Sequence, residues 1–461
     1  MKQRHLRTLL GVVACALPPL AYYWGLDNPF VFDDRYTVLL NPSLVDPPDF
    51  LAALLHNSAR PVVNISYAID RALWGISSFG FHLTNLLLHL VVVGLFYGWC
   101  TRALADGLRT GADPNKSGER SDADDVPKIA WPAFFAAAVF ALHPLMAAAT
   151  GYVSARSELL AALGTFVALV FARRALVSSN IPAAIAAAAF VLLAVQSSAS
   201  AAAVPLLLLA YDASVLREPG WRGRASRIYL PATAAVAVLV ALRLPAVLAA
   251  ERVPERSLIE NLLSESIVVW RYLWLLAGST GYALVHEVRW VTTPFDPVGM
   301  VAFALLAMCA AAAIYARRSM PLMAFGVVWF LAVLAPTSSV VPVRDGMAEH
   351  RAYLASAGLL LAAASLAPRS LLGRRAAAAV AVVMLMVLGW RTYQRNQVWA
   401  DPAALWQESI RRSPGAWQAH LGYALLFAEI DRCDQARAEF ETVLRLYPNQ
   451  PDAVEGLAQC R

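Results

Sequence analysis

Long apolar runs alternate along the chain with short polar connections. A helix needs about 20 apolar residues to cross the hydrocarbon core of a bilayer, and about eleven stretches approach that length. These stretches are 8–25, 80–100, 129–148, 158–175, 181–197, 200–213, 228–249, 298–316, 320–337, 351–367 and 375–393. The pattern predicts an all-α, polytopic membrane protein of about eleven transmembrane helices.

Basic residues predict the direction of each crossing. Lys2, Arg4 and Arg7 precede the first span, and no small-residue cleavage site follows it. Cytoplasmic connections carry the excess of Lys and Arg, so the N-terminus is expected in the cytoplasm. The other basic connections then fall on the same side, with Arg102, Arg109, Arg173, Arg174, Arg217, Arg222, Arg224, Arg227, Arg317, Arg318, Arg369, Arg374 and Arg375. The long loop 26–79 and the C-terminal end are expected outside the cytoplasm.

The stretch 258–279 does not fit this alternation. It is apolar enough to span but carries Glu260, Glu265 and Arg271. If it crossed the membrane, every later loop would change sides, so we interpret it as interfacial or re-entrant on the outer side. Whether it crosses the membrane is left open.

Composition supports the membrane interpretation. The chain has 461 residues, of which 59% are hydrophobic and 15% charged, too few charges to cover a soluble protein of this size. The net charge of +6 lies in the short basic connections, so nucleic-acid binding is not expected. No Cys or His pattern indicates a metal. Cys433 and Cys460 would pair only in an oxidising compartment, which the sequence does not decide.

After residue 395 the sequence becomes amphipathic, and three pairs of residues recur with a spacing of 34. The pairs are Trp406 and Phe440, Pro414 and Pro448, and Gly422 and Gly456. This period predicts a short tetratricopeptide-type module; the alternative is three ordinary amphipathic helices. The expected domains are therefore 1–394 in the membrane and 395–461 as a helical module.

Charged groups at the predicted outer face are candidates for chemistry. Asp33 and Asp34 follow the first span, and either would serve as a general base for a hydroxyl acceptor; the alternative is a helix cap. Arg60, Arg156 and Arg351 are candidate phosphate ligands, or interfacial anchors whose charged ends reach water.

Polar residues inside predicted spans are candidates for a cavity lining. His82, Asn85 and His89 share one face of the second span, where they would line a cavity or bond to other helices. His143 precedes Pro144 and is equally compatible with a satisfied histidine at a kink. The remaining candidates are Glu158, Glu349, His350 and Tyr353.

Five sequence motifs together resemble one known family. They are 27–34 followed by Asn41-Pro42, Arg60-Pro61, 80–89, His143-Pro144 with 153–161, and 349–358. In this order, and with repeats after the last helix, they resemble the transmembrane and tetratricopeptide-repeat-containing O-mannosyltransferases and their bacterial relatives. That family lies within the GT-C superfamily of glycosyltransferases, so the resemblance implies a GT-C-like fold for residues 1–394.

The resemblance also implies an activity. The expected enzyme is an inverting glycosyltransferase that moves a sugar, typically mannose, from a polyprenyl phosphate to a protein hydroxyl on the extracytoplasmic face. Asp33 or Asp34 would be the acidic catalytic residue of the first loop, and Arg156 and Arg351 would be candidates for binding the donor phosphate. No cofactor is implied beyond the lipid-linked donor. The expected location is the inner membrane of a bacterium, with a protein partner at the C-terminal module.

This chain departs from the family pattern at four positions. Met146 and Ala148 stand where the family usually has His and Glu, and Ala199 and Ser200 stand where it usually has Lys and Glu. The departures motivate an alternative, a catalytically altered scaffold or binding protein of the same fold. A transporter is a third hypothesis, but charges clustered on one side argue against it. The sugar, the acceptor and the oligomeric state remain open.

Overall fold

The computed structural model describes residues 2–44, 47–57, 59–110, 122–217, 220–224, 228–251, 256–278, 280–338, 346–367 and 375–460. Within these ranges all regular secondary structure is helical, which confirms the predicted all-α class. Arg227, Arg369 and Arg374 of the predicted cytoplasmic connections lie outside the described residues.

The α-helices follow one another along the whole chain. The N-terminal half contains α1 (Lys2–Tyr22), α2 (Phe50–His56), α3 (Pro61–Trp74), α4 (Ser78–Thr110), α5 (Asp122–Leu142), α6 (Ala147–Gly151), α7 (Arg156–Ser178), α8 (Ile181–Val195), α9 (Val204–Tyr211) and α10 (Trp221–Arg224). The remainder contains α11 (Leu230–Glu251), α12 (Leu258–Gly278), α13 (Pro297–Ala316), α14 (Pro321–Leu334), α15 (Ala352–Leu366) and α16 (Arg375–Trp399). The C-terminal helices are α17 (Pro402–Arg412), α18 (Trp417–Glu429), α19 (Cys433–Leu446) and α20 (Pro451–Gln459).

Within the described residues, six helical segments are long and apolar enough to cross a membrane. They are His5–Gly25, Ser78–Arg109, Val153–Ser178, Ala199–Leu216, Pro297–Ala316 and Arg375–Trp399. A seventh exists if Lys128–Leu142 and Pro144–Gly151, which meet at a bend of 51°, form one span. The chain therefore has the helices of a multi-pass membrane protein.

The predicted count of about eleven spans is not confirmed. Several predicted spans form helices shorter than the bilayer core requires. The predicted span 351–367, for example, forms α15, whose 15 residues reach about 22 Å at 1.5 Å per residue. The stretch 258–279 forms the 21-residue helix α12, and it is not one of the six segments that meet the length and hydropathy requirement.

Helices α14 and α15 pack at very short distance through two glycines. A Cβ atom added at Gly326 would lie 2.2 Å from the carbonyl oxygen of Gly358. A Cβ atom at Gly358 would lie 2.7 Å from the carbonyl oxygen of Gly326. Small residues allow such close approach of helix backbones in membranes, so the backbones of α14 and α15 are in direct contact at these two glycines.

The C-terminal helices α17 to α20 each pack against the next. Gly422 lies under the ring of Trp406, where an added Cβ would stand 2.2 Å from the indole. Gly456 lies under Phe440 at the same distance, so the same aromatic–glycine contact recurs at the 34-residue spacing. A disulfide joins Cys433 to Cys460, which links α19 to the end of α20.

We expect Gly358→Ala to destabilise the protein by about 1–3 kcal/mol, the usual cost of overpacking a core. The new methyl group would meet the Gly326 carbonyl and Trp329, neither of which can move without shifting α14. Thermal unfolding of the purified protein in detergent measures the effect. Gly389→Ala is the matched control, because its Cβ would meet only Leu142 at ordinary contact distances of 3.7–3.8 Å. Equal melting temperatures for the two variants would contradict the close contact.

Candidate functional site

A cavity of about 650 Å³ lies between one end of the membrane helices and the C-terminal helices. The first loop and the turn after α6 form one side, with Asp33, Arg60 and Tyr152. The segments 283–288 and 346–351 form another side, and residues 415–418 with Leu446 and Tyr447 close the cavity from the C-terminal module. Parts of the chain that are hundreds of residues apart thus share one space.

The run Phe32 to Arg35 uses each side chain differently. Phe32 has a left-handed backbone with φ of 52°, which is uncommon for a bulky residue and marks local strain. Its ring packs against Tyr152 and Trp406, at centroid distances of 6.4 Å and 5.6 Å. Arg35 forms an ion pair with Glu429 at the end of α18. The turn is therefore held by Tyr152 of the helix bundle and by Trp406 and Glu429 of the C-terminal helices.

The two neighbouring carboxylates lie in opposite environments. Asp34 is fully buried and accepts hydrogen bonds from the Val31 N–H at 3.2 Å, the Ser154 N–H at 2.7 Å and the Ser154 hydroxyl at 2.6 Å. Burial raises the pKa of Asp34 to about 7, against a usual value of 3.8. Asp33 is exposed and lines the cavity. Its N–H donates to the Tyr152 hydroxyl at 3.2 Å.

Three arginines line the same cavity: Arg60, Arg256 and Arg351. The Nη1 atoms of Arg256 and Arg351 are buried, and neither has a hydrogen-bond partner in the described part of the chain. Arg256 stacks on Trp290, 3.4 Å from the ring centroid. The arginines at 60 and 351 were predicted; Arg256 was missed. The available signal was a charge directly before the apolar stretch 258–279.

The cavity also contains two histidines on its inner wall. Burial, together with the cations Arg351 and Arg60, lowers the pKa of His350 to about 3, so its imidazole is neutral at physiological pH. His286 was not predicted. Its Nε2 lies 2.9 Å from Oε1 of Glu349, which also accepts from the Ala283 N–H at 2.7 Å. Glu349 therefore holds the segment 283–288 in place as a wall of the cavity.

Arg156 does not reach the cavity, although the sequence suggested a phosphate ligand. Its guanidinium is fully buried and lies 2.6 Å from a carboxylate oxygen of Asp70. It also donates to Asn85 at 2.7 Å and to the carbonyl of Phe81 at 2.9 Å. Arg156 is therefore not available as a phosphate ligand of this cavity. A cation buried in the bundle needs partners there, and Asp70 and the carbonyl groups provide them.

The polar residues expected to line a cavity inside the spans instead bond to other parts of the protein. His82 contacts the Asn28 carbonyl at 3.0 Å, and Asn85 donates to the carbonyls of Thr150 and Tyr152, each at 3.3 Å. His89 bonds to the Tyr353 hydroxyl at 2.7 Å, and His143 to the Leu276 carbonyl at 2.9 Å. None of these residues lines the cavity. The interhelical alternative describes Asn85 and His89, whereas the partner of His82 lies in the first loop.

Glu158 is also buried and does not line the cavity. It lies beside Ser200, one of the positions at which this chain departs from the family pattern. The hydroxyls of Ser198 and Ser200 donate to its two oxygens at 2.6 Å and 3.1 Å. Residues 198–200 are Ser-Ala-Ser, where the family usually has Ser-Lys-Glu, and the two serine hydroxyls provide the hydrogen bonds of the Glu158 carboxylate. Of the other departures, Ala148 lines the cavity, whereas Met146 is fully buried outside it.

The C-terminal module is fastened to this site by polar contacts. The Gly415 N–H donates to Glu287 at 2.9 Å. Arg395 lies 3.8 Å from Glu349 and forms a closer ion pair with Glu408 on α17. Within the described residues no group of three or more His, Cys, Asp or Glu side chains is arranged to hold a metal ion.

Together the fold and the cavity define an all-helical protein with the helices of a multi-pass membrane protein. Its chamber is lined by three arginines and three carboxylates and is covered by the C-terminal helices. Curated relatives with matching sequence are protein O-mannosyl-transferases, which confirms the resemblance. Protein O-mannosyl-transferase TMTC2 of Mus musculus is 28% identical over 165 residues, 33% of this chain and 17% of the relative. Protein O-mannosyl-transferase Tmtc3 of Drosophila melanogaster is 28% identical over 194 residues, which are 39% of this chain and 20% of the relative. Protein O-mannosyl-transferase F38B6.6 of Caenorhabditis elegans is 26% identical over 184 residues, which are 37% of this chain and 23% of the relative.

These similarities are partial. The chain spans about a fifth of the length of the curated relatives it matches. No protein-family profile and no solved structure matches the chain.

We expect Arg156→Met to destabilise the protein by about 3–5 kcal/mol, because it leaves the Asp70 carboxylate buried without its cation. Adding Asp70→Asn to Arg156→Met should recover part of the loss, since the amide carries no charge. Chemical unfolding in detergent measures both variants. A fully stable Arg156→Met protein would contradict the structural role of this buried ion pair.

Asp34 should make stability depend on pH. Its pKa is near 3.8 unfolded and about 7 in the folded protein, so the folded state binds more protons between these values. The contribution of this group is complete below about pH 4 and is lost as the pH rises through about 7. Melting temperatures between pH 4 and pH 8 should therefore fall more for the wild type than for Asp34→Asn. An equal fall in melting temperature for the wild type and Asp34→Asn would contradict the raised pKa of Asp34.

Proposed function

We propose that this protein is a membrane glycosyltransferase that moves a sugar from a polyprenyl phosphate to a protein hydroxyl group. The observation that carries the proposal is the common cavity of the exposed Asp33 and three arginines at the end of the helix bundle. The names of the relatives support a mannosyl transfer to protein. We propose mannose as the sugar on that basis.

The proposed chemistry is a single displacement with inversion. Asp33 takes the proton as the acceptor oxygen attacks C1 of the sugar, and the bond between C1 and the phosphate oxygen breaks. The phosphate leaves with the electron pair. Asp33 suits the base role better than Asp34, since Asp33 is exposed and lines the cavity, whereas Asp34 is fully buried and bonded to Ser154 and Val31.

The arginines supply the charge that the leaving phosphate needs. Arg60, Arg256 and Arg351 form no ion pair with a carboxylate among the described residues. Arginine is suited to phosphate because its fixed fork of donors reaches several oxygens. The unpartnered Nη1 atoms of Arg256 and Arg351 support this assignment, because buried donors are normally satisfied and a bound phosphate would supply acceptors.

The C-terminal module would form the acceptor side of the cavity. Trp417 at the start of α18 and Tyr447 after α19 stack with centroids 4.9 Å apart and planes at 16°. Both line the cavity, and such a flat aromatic surface suits contact with a polypeptide. We propose that α17–α20 are a tetratricopeptide-type module through which a protein partner, the acceptor, reaches Asp33. The recurring Trp406–Gly422 and Phe440–Gly456 contacts support that class of module.

The proposed reaction face is extracytoplasmic. Disulfides persist in oxidising compartments and are rare in the cytosol, and Cys433–Cys460 lies in the module that covers the cavity. The basic connections expected in the cytoplasm favour the same orientation.

A second candidate function is a scaffold or binding protein of the same fold with an altered site. It is favoured by Ala148, which places a methyl group in the cavity wall where the family usually carries a glutamate. Such a protein would bind a partner through α17–α20 without transferring sugar.

Asp33→Asn should lower the rate of sugar transfer by about 10²–10⁴-fold, the usual contribution of a general base. The assay uses full-length protein in proteoliposomes, polyprenyl-phosphate mannose and a serine- and threonine-containing peptide. Asp27→Asn is the control, an exposed aspartate of the same loop that does not line the cavity, and its activity should stay unchanged.

Full activity in Asp33→Asn would show that Asp33 is not the base. A wild-type protein that turns over no polyprenyl-phosphate sugar, yet retains a partner through residues 395–461, would favour the scaffold.

A further inference from the structure

A second cavity of about 470 Å³ lies at the other end of the bundle. Asn85, near the start of α4, contacts Tyr152 of the first cavity, whereas Leu104 of the same helix lines the second. Their separation of 19 positions along α4 corresponds to about 28 Å, close to the thickness of the hydrocarbon core. The two cavities therefore lie at opposite ends of the helix bundle, separated by about the thickness of a hydrocarbon core.

The polar rim of this cavity is cationic. Lys128, Arg217 and Arg318 line it, and no carboxylate occurs among its described lining residues. The Nη2 atom of Arg217 donates to the carbonyls of Arg317 and Arg318 at 2.9 Å and 3.0 Å, and Nε donates to the Ser214 carbonyl at 3.1 Å. Carbonyl groups hold the guanidinium in position without neutralising its charge, so a fixed positive charge remains at the rim.

Two helix ends meet at the same rim. Helix α14 begins at Pro321, and Pro321, Leu322 and Met323 of its first turn line the cavity. The free amide groups and the dipole at a helix N-terminus favour an anion. The last turn of α15 lies on the other side, at Ala364–Ala367, and its carbonyls would accept hydrogen bonds from hydroxyl groups.

The rest of the lining is apolar, with Leu104, Leu108, Ile129 and Leu322 from three helices. An ion alone would leave this surface without a partner. A ligand with an anionic head and a hydrocarbon tail would match both parts of the cavity.

We propose that this cavity binds the phosphate headgroup of an anionic membrane lipid on the face opposite the first cavity. Basic pockets between transmembrane helices are suited to such headgroups. The two chemical sources of a phosphate are a lipid and a free phosphate ion, and the apolar lining favours the lipid. The site does not depend on the proposed glycosyl transfer, because it shares no residue with the first cavity.

The test is native mass spectrometry of the full-length protein in detergent with added dioleoyl phosphatidylglycerol or dioleoyl phosphatidylcholine. The wild type should retain phosphatidylglycerol preferentially. Lys128→Gln combined with Arg318→Gln should weaken this retention by about tenfold, because each basic residue contributes to the attraction of an anionic headgroup. The matched control is Arg102→Gln with Arg109→Gln, which removes two exposed arginines of α4 outside the cavity lining.

Each other outcome would overturn the proposal. Equal retention of the two lipids would show no headgroup recognition, and an equal loss in the Arg102 and Arg109 control would show attraction by surface charge alone. Displacement of the lipid by millimolar inorganic phosphate would make the site one for a free ion. The melting temperature of the double variant in phosphatidylcholine must match that of the wild type, which separates loss of binding from loss of folding. If the double variant unfolds, Arg217→Gln is tested in its place.

Discussion

The contact of Arg395 with Glu349 and Glu408 connects the membrane helices to the C-terminal module. Arg395 lies near the end of α16, Glu408 lies on α17, and Glu349 precedes α15. Glu349 in turn fixes the segment 283–288 through Ala283 and His286. The segment 283–288, which is one wall of the first cavity, and the position of the C-terminal helices that cover it therefore depend on Arg395, Glu349 and Glu408. Removing the cation would leave two carboxylates close together in a region of low dielectric, which is strongly unfavourable.

Pairing of buried charge also separates structural arginines from candidate binding residues. Arg156 faces Asp70, Arg173 faces Asp106 and Arg224 faces Asp212, so each cation is neutralised where it lies. The arginines of the first cavity form no ion pair with a carboxylate among the described residues, although Asp33, Glu287 and Glu349 line the same cavity. Desolvation makes an unpaired cation costly in a membrane protein. This cost applies to the buried Nη1 atoms of Arg256 and Arg351, which an anionic ligand would provide with acceptors, whereas Arg60 is exposed.

The sequence predicted the helical class, the family resemblance and several cavity residues, because apolar length and ordered motifs carry that information locally. Asp33, Arg60, Glu349 and His350 were expected together and line one cavity. The sequence did not decide between Asp33 and Asp34, since the left-handed turn at Phe32 that separates their environments depends on Tyr152 and Trp406. The sequence also suggested Arg156 as a phosphate ligand and left two interpretations of the polar face of α4 open, because helical spacing shows which residues share a face but not which partners they meet. His286 was missed because only the fold brings it to Glu349.

A structure of the full-length protein with a non-cleavable polyprenyl-phosphate sugar analogue would test the central claim most directly. The account predicts the phosphate within hydrogen-bond distance of Arg351 and at least one of Arg60 and Arg256, with C1 of the sugar facing Asp33. A phosphate bound beside Arg156, or a sugar held away from Asp33 with the three arginines unoccupied, would contradict it.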